Sequence, residues 1–113
     1  MISSFSGIFL LLGLKVYIED DITLRYYLFM NAAQKKTLSV IFSDPVNGNM
    51  NWAKIESLFM AVGCRKIEGK GSSVTFEKNG FRAYFHRPHP AKESLKYRVK
   101  EARRFLKLLG VKP

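Results

Sequence analysis

Apolar residues recur along this chain with two different periods, and the switch between them orders its elements. From Lys35 onward, Leu38, Ile41 and Phe42 fall at i, i+3 and i+4, the spacing of one helical face. Asp44 and Pro45 predict the end of that helix, because proline cannot continue it. The stretch Pro45, Val46, Asn47, Gly48, Asn49 carries turn residues, and Asn51 is placed to cap a second helix starting at Trp52. In that helix Ile55, Leu58, Phe59 and Val62 share a face, and Gly63 is placed to close it in a left-handed conformation.

After Gly63 the period becomes two, which predicts strands over residues 64–68, 72–78 and 81–87, separated by Gly69, Lys70 and Gly71 and then by Asn79 and Gly80. Asn-Gly is a strong hairpin signal, since both residues tolerate the positive φ of a type I′ turn. Such a turn fixes the register: Lys78 faces Phe81, and residues whose numbers sum to 159 lie opposite one another. Val74 and Phe76 then meet Phe85 and Ala83 on an apolar face, while Ser73, Thr75 and Glu77 meet His86, Tyr84 and Arg82 on a polar one. Ser73 and His86 are expected with Cβ atoms about 4.5–5.5 Å apart.

Pro88 and Pro90 end the third strand, and Ser94 is placed to cap a last helix that closes at Gly110. Leu95, Val99, Ala102, Leu106 and Leu109 form its expected core stripe. Lys96, Lys100, Arg103, Arg104 and Lys107 form a second stripe, rotated from the first by roughly 130° at ~100° per residue. The order of elements predicts an α+β fold in which a three-stranded antiparallel sheet packs one face on helices. No internal repeat or low-complexity tract interrupts it.

The first 29 residues read differently. They mix apolar and acidic stretches without caps or clear periodicity, whereas the segment opened by Met30 is basic and helical. Residues 1–29 are therefore expected to be a non-native N-terminal extension upstream of a biological start at Met30, or a poorly packed appendage, with residues 30–113 as the folded domain. The apolar run from Ile8 to Leu14 is much shorter than the roughly 20 residues that cross a bilayer, and Lys15 follows it, unlike the leading positive charge of a signal peptide. Neither membrane insertion nor secretion is expected.

Composition sharpens the picture. A chain of 113 residues holds one domain, and 47% apolar with 13% aromatic residues suffices for its core. The formal net charge is +10, and residues 30–113 alone carry +11, because the first 29 hold two cations and three acids. A basic surface of this kind favours a polyanionic partner such as RNA, its bland alternative being a merely solvated face. The single cysteine, Cys64, permits no internal disulfide and no cysteine-based zinc site, which fits a cytoplasmic protein.

Three groups of residues can carry chemistry. The cationic stripe of the last helix is spaced to follow a phosphate backbone, and few acids interrupt it. Lys70, Ser72 and Ser73 in the Gly-rich turn can meet a phosphate, although the turn lacks the spacing of a nucleotide-binding loop. His86 and His89, flanking Arg87, are the only histidines. Two histidines beside an arginine make a poor metal site, so no metal or cofactor is expected. An imidazole titrating near neutrality can instead act as general acid or base in metal-free RNA cleavage, with Tyr84 or His89 assisting His86.

The residues from Ile55 to Val111 resemble the HicA family of type II toxin–antitoxin toxins. The resemblance rests on the helix from Lys54 to Phe59 ending near Gly63, the Lys70-Gly71-Ser72 turn, the Pro88-His89-Pro90 element, and a basic helix closing on Leu109-Gly110-Val111. It implies a fold like that of double-stranded-RNA-binding domains, cytoplasmic binding and cleavage of mRNA, and restraint by a HicB antitoxin. It also implies a catalytic His directly after the Lys-Gly-Ser turn, and that position here is Ser73. A hydroxyl is no base near neutral pH, so a binding module without catalysis is the alternative, and a basic structural protein a third.

Overall fold

The computed structural model describes residues 26–89 and 92–113. The Ile8 to Leu14 run and most of the expected extension lie outside the described residues. The elements are α1 (Ala32–Ile41), β1 (Met50–Asn51), α2 (Trp52–Ala61), β2 (Arg65–Glu68), β3 (Ser73–Lys78), β4 (Phe81–His86), β5 (Glu93–Ser94) and α3 (Lys96–Leu109). Strands β2, β3 and β4 form an antiparallel sheet in that order, and β1 pairs separately with β5. The architecture is α+β, with α2, the three-stranded sheet and α3 arranged as in double-stranded-RNA-binding domains and α1 packed against α2 and α3.

Local chemistry sets the boundaries. Helix α1 begins three residues earlier than its apolar spacing predicts, because Asn31 and Gln34 form a reciprocal capping box: each side chain accepts from the other's backbone N–H. Helix α2 begins where predicted, with the Asn51 side chain accepting from the Ala53 N–H at 2.8 Å. Both α2 and α3 end alike. The Cys64 N–H reaches the Phe59 carbonyl and the Gly63 N–H reaches Met60, just as Val111 reaches Leu106 and Gly110 reaches Lys107. These paired bonds satisfy terminal carbonyls and bury Cys64 and Val111 behind the glycine. Burial pushes the Cys64 thiol up to about 12, against a smaller opposing pull from Lys78, so it stays protonated and unreactive.

The start of α3 departs from expectation. Ser94 does not cap it: Leu95 occupies the cap position without a side-chain bond, and Ser94 is fully buried in β5, paired with Met50. The two-residue ladder draws Ser94 inward before the helix begins, and leaves Leu95 exposed outside the helical phase. The core stripe is therefore Val99, Ala102, Phe105, Leu106 and Leu109.

The hairpin register is the predicted one throughout, from Lys78 opposite Phe81 to Ser73 opposite His86. Asn79 and Gly80 both adopt positive φ, 55° and 84°. Val74, Phe76, Ala83 and Phe85 are buried against the helices. Glu77 lies opposite Arg82 as expected, yet its carboxylate pairs with Arg65 on the other neighbouring strand, at 3.3 Å. At the centre, the Phe59 ring of α2 meets Phe76 at 4.8 Å, Phe85 at 5.7 Å and Phe105 edge-on at 5.4 Å. One side chain thus joins α2, both hairpin strands and α3.

Charge fastens the end of β4. Arg87 donates through Nε to Glu56 of α2 at 2.6 Å and through Nη1 to Glu68 of β2 at 2.8 Å. The Glu56 side chain is 16% exposed and also accepts from the Trp52 indole, with Lys66 Nζ 3.5 Å away. Burial raises the Glu56 pKa, but the hydrogen bonds from Arg87 and Trp52 and the charges of Arg87 and Lys66 outweigh it, so the net shift is downward. A depressed carboxylate stabilises the fold fully above its unfolded pKa of about 4.3 and loses that contribution as pH falls through the lower folded value. Glu56→Gln should therefore lower stability at pH 7 by roughly 1–3 kcal/mol, with the gap from the native protein closing below about pH 4. Urea midpoints of both proteins at pH 7 and pH 3 measure this, and an equal gap at both would contradict it.

Candidate RNA-binding and cleavage site

The period of the sheet puts Ser73, Thr75, Tyr84 and His86 on the face away from the core. His86 is exposed at the end of β4, and Tyr84 stands two residues earlier on the same side, 57% exposed. The Tyr84 hydroxyl lies 3.2 Å from His86 Nε2, with the two rings edge to face at 5.3 Å. At that distance the phenol donates to an unprotonated Nε2, and a protonated Nε2 donates to the phenol oxygen. The pair can pass a proton between an exposed imidazole and solvent. His89 is also exposed, beyond the strand end.

Ser73 occupies the same face but not the same environment. It is buried, its hydroxyl donates to the Lys70 carbonyl at 2.8 Å, and its backbone closes the turn through Gly69 and Lys70. A Cβ on Gly69 would lie 2.3 Å from Ser73 Oγ, so only glycine allows the turn to fold this closely over the serine. Lys70 and Ser72 remain exposed at the apex, and the Ser72 carbonyl accepts from the Arg87 N–H at 2.9 Å, extending the hairpin ladder.

The cations expected to meet RNA divide into two sets. Lys96, Lys100 and Lys107 are exposed on α3, with no ion pair among the described residues. The others are engaged. Arg87 forms the clamp already described, which raises its pKa further through the hydrogen bonds it donates to Glu68 and Glu56. Arg103, its side chain only 17% exposed, donates to the Ile41 carbonyl at 2.9 Å and the Ser43 carbonyl at 2.8 Å, and pairs with Asp44 at 3.2 Å. It closes the C-terminus of α1, where helix carbonyls lack partners. Arg104 donates to Glu101 one turn away at 2.9 Å, an interaction that raises its pKa. The expected stripe is thus three free lysines and two arginines with partners.

Two residues that the sequence reading passed over complete the surface. Arg98 Nε donates to the His86 carbonyl at 2.7 Å, and its guanidinium lies 4.9 Å from the centre of the Tyr97 ring. Tyr97 is 61% exposed, and with Tyr84, Phe85, His86, Arg98 and Glu101 it lines a groove of about 300 Å³ between β4 and α3. Their signal was an aromatic residue set directly beside a cation in a basic helix.

No helix among the described residues is long and apolar enough to cross a membrane. Comparison with curated proteins and with solved structures found no match. A family model described as the HicA toxin of bacterial toxin-antitoxin matches residues 52–111, from the first residue of α2 to the buried valine behind α3. That span is more than half of the chain and contains the whole three-stranded sheet and both helices that cover it. The chain belongs to the HicA toxin family, and as such it is the toxin of a toxin–antitoxin pair whose other member is an antitoxin.

Proposed function

We propose that this toxin binds mRNA across the outer face of α3 and the polar face of the β3–β4 hairpin, and cleaves it with His86 as the acid–base group. The observation that carries the reading is the position of His86: directly opposite Ser73 in the ladder, exposed, and within hydrogen-bonding distance of Tyr84. Metal-free cleavage of RNA needs one group to take the 2′-hydroxyl proton and cations to stabilise the charged phosphate. An imidazole on β4 shares the face on which the family's histidine would stand on β3. His89 follows three positions after His86, beyond the strand end, and Lys70 and Ser72 stand at the turn apex that precedes Ser73.

Phosphate binding is assigned to Lys96, Lys100 and Lys107, with Arg104 adding charge beside them, while Arg87 and Arg103 support the frame. Helix α3 carries six cations and one carboxylate, an imbalance that suits a polyanion. The natural restraint is a HicB-like antitoxin that covers these cations with acidic side chains. It should compete with RNA for the toxin, and an antitoxin that binds without displacing RNA would show that it uses another face.

Replacing Lys96, Lys100 and Lys107 together with Gln should make the dependence of log affinity on log salt shallower by about 2 for a single strand, at ~0.7 per phosphate contact. An unchanged slope would make this face merely solvated. For catalysis, His86→Ala should abolish mRNA cleavage and growth arrest while changing RNA affinity less than about twofold. Retained toxicity in that variant removes His86 from the reaction. RNA binding by the native protein without any cleavage would favour the second reading, a binding toxin, which the buried Ser73 at the family's histidine position supports.

A further inference from the structure

The groove between β4 and α3 is shaped and furnished for something more specific than a phosphate backbone. Two tyrosines, Tyr84 and Tyr97, reach it while remaining more than half exposed, and a histidine and an arginine share its wall. Exposed aromatic rings are costly to leave in water without a use, and on a chain of net charge +10 the matching partner is a π-faced anion. Arg98 is held in place rather than free to sweep. Its Nε is tied to the His86 carbonyl and its guanidinium carbon lies 4.9 Å from the centre of the Tyr97 ring, which leaves its terminal amino groups without a partner among the described residues. The one carboxylate in the groove, Glu101, is occupied by Arg104 and does not oppose an incoming phosphate.

We infer that this groove takes one unpaired RNA base, stacked on Tyr97, with the adjoining phosphate on Arg98 beside His86. The inference rests on the RNA reading above and narrows the substrate class to single-stranded segments, because a base held in a duplex has no free face to offer an aromatic ring. The placement also fits the lysines. At ~100° per residue, Lys100 and Lys107 lie about 60–80° around α3 from Tyr97, with Arg104 between them, so a strand crossing the outer face of the helix can meet lysines and ring in succession. Arg98 lies on the far side of Tyr97, toward β4. The strand then runs from a non-specific cationic face into a base pocket that abuts the imidazole.

The test uses the full chain and an eight-nucleotide RNA carrying 2-aminopurine, alone and annealed to its complement, at one fixed salt concentration. Stacking on the ring should quench the fluorescence of the single strand. Tyr97→Ala should weaken single-strand binding on the order of tenfold and abolish the quench, while changing duplex binding less than about twofold. Tyr97→Trp should retain both binding and quench, and matching unfolding midpoints show that each variant is folded. If Tyr97→Ala binds the single strand like the native protein, or loses both forms equally, the base site is wrong while the RNA reading stands. If the native protein binds neither form, the RNA reading fails and takes this site with it. If Tyr97→Ala loses only the antitoxin, the groove belongs to the protein partner and the inference is overturned.

Discussion

The positive φ of two consecutive residues, Asn79 and Gly80, governs which side chains this sheet shows to solvent. A two-residue turn of that hand fixes the register of β3 against β4, and with a period of two the register decides the face of every residue on both strands. A slip of β4 by one position would carry Phe85 outward and bring Tyr84 beneath the helices. The apolar core therefore opposes any slip, and the turn and the core specify the same answer. The exposed face is the complement of the core: because Val74, Phe76, Ala83 and Phe85 face inward, Tyr84 and His86 must face outward.

Among the described residues the ion pairs fall mainly to arginines, with Lys66 beside Glu56 the lysine exception. Every acid among the described residues but Glu93 meets an arginine: Glu56 and Glu68 clamp Arg87, Asp44 meets Arg103, Glu77 meets Arg65 and Glu101 meets Arg104. Arginine suits these roles, since its planar fork donates in two directions at once, as Arg87 does between α2 and β2. The lysines of α3, point charges on flexible stems, remain on the surface. A strongly basic chain can in this way be internally neutralised where packing needs it and unneutralised on one exposed helix face.

The elements set by neighbouring residues were legible in the sequence. Helix α2, its Asn51 cap, its Gly63 terminus and the complete hairpin register all follow from side chains within a few positions of one another. The Asn31 and Gln34 capping box belongs to the same class, and its spacing stands plainly in the sequence although the apolar pattern alone starts the helix later. What could not be read is what depends on distant partners. Ser94 has the composition of a cap, but pairing with Met50, 44 positions away in the chain, removes it from the helix end. Arg103 and Arg87 look like members of a cationic surface until Ile41, Ser43, Glu56 and Glu68 are brought beside them. The same limit hid Arg98, whose anchor is a carbonyl at the far end of β4.

The relation between Ser73 and His86 turns on burial rather than on distance. Both positions share one face and one rung of the ladder, yet Ser73 is sealed beneath the Gly69 turn and His86 stands in solvent. A small hydroxyl satisfied by the Lys70 carbonyl suits the sealed position, since an imidazole there would have to push the turn away from the strand. On the cleaving reading, moving the imidazole to the facing strand keeps it on the same surface while letting the turn close. Its surroundings change with it: on β4 the ring meets the Tyr84 hydroxyl, and the carbonyl of the same residue fixes Arg98. The His86 ring, the Tyr84 hydroxyl it meets and the carbonyl that anchors Arg98 thus belong to one short segment of backbone, whose register is set by the turn at Asn79 and Gly80.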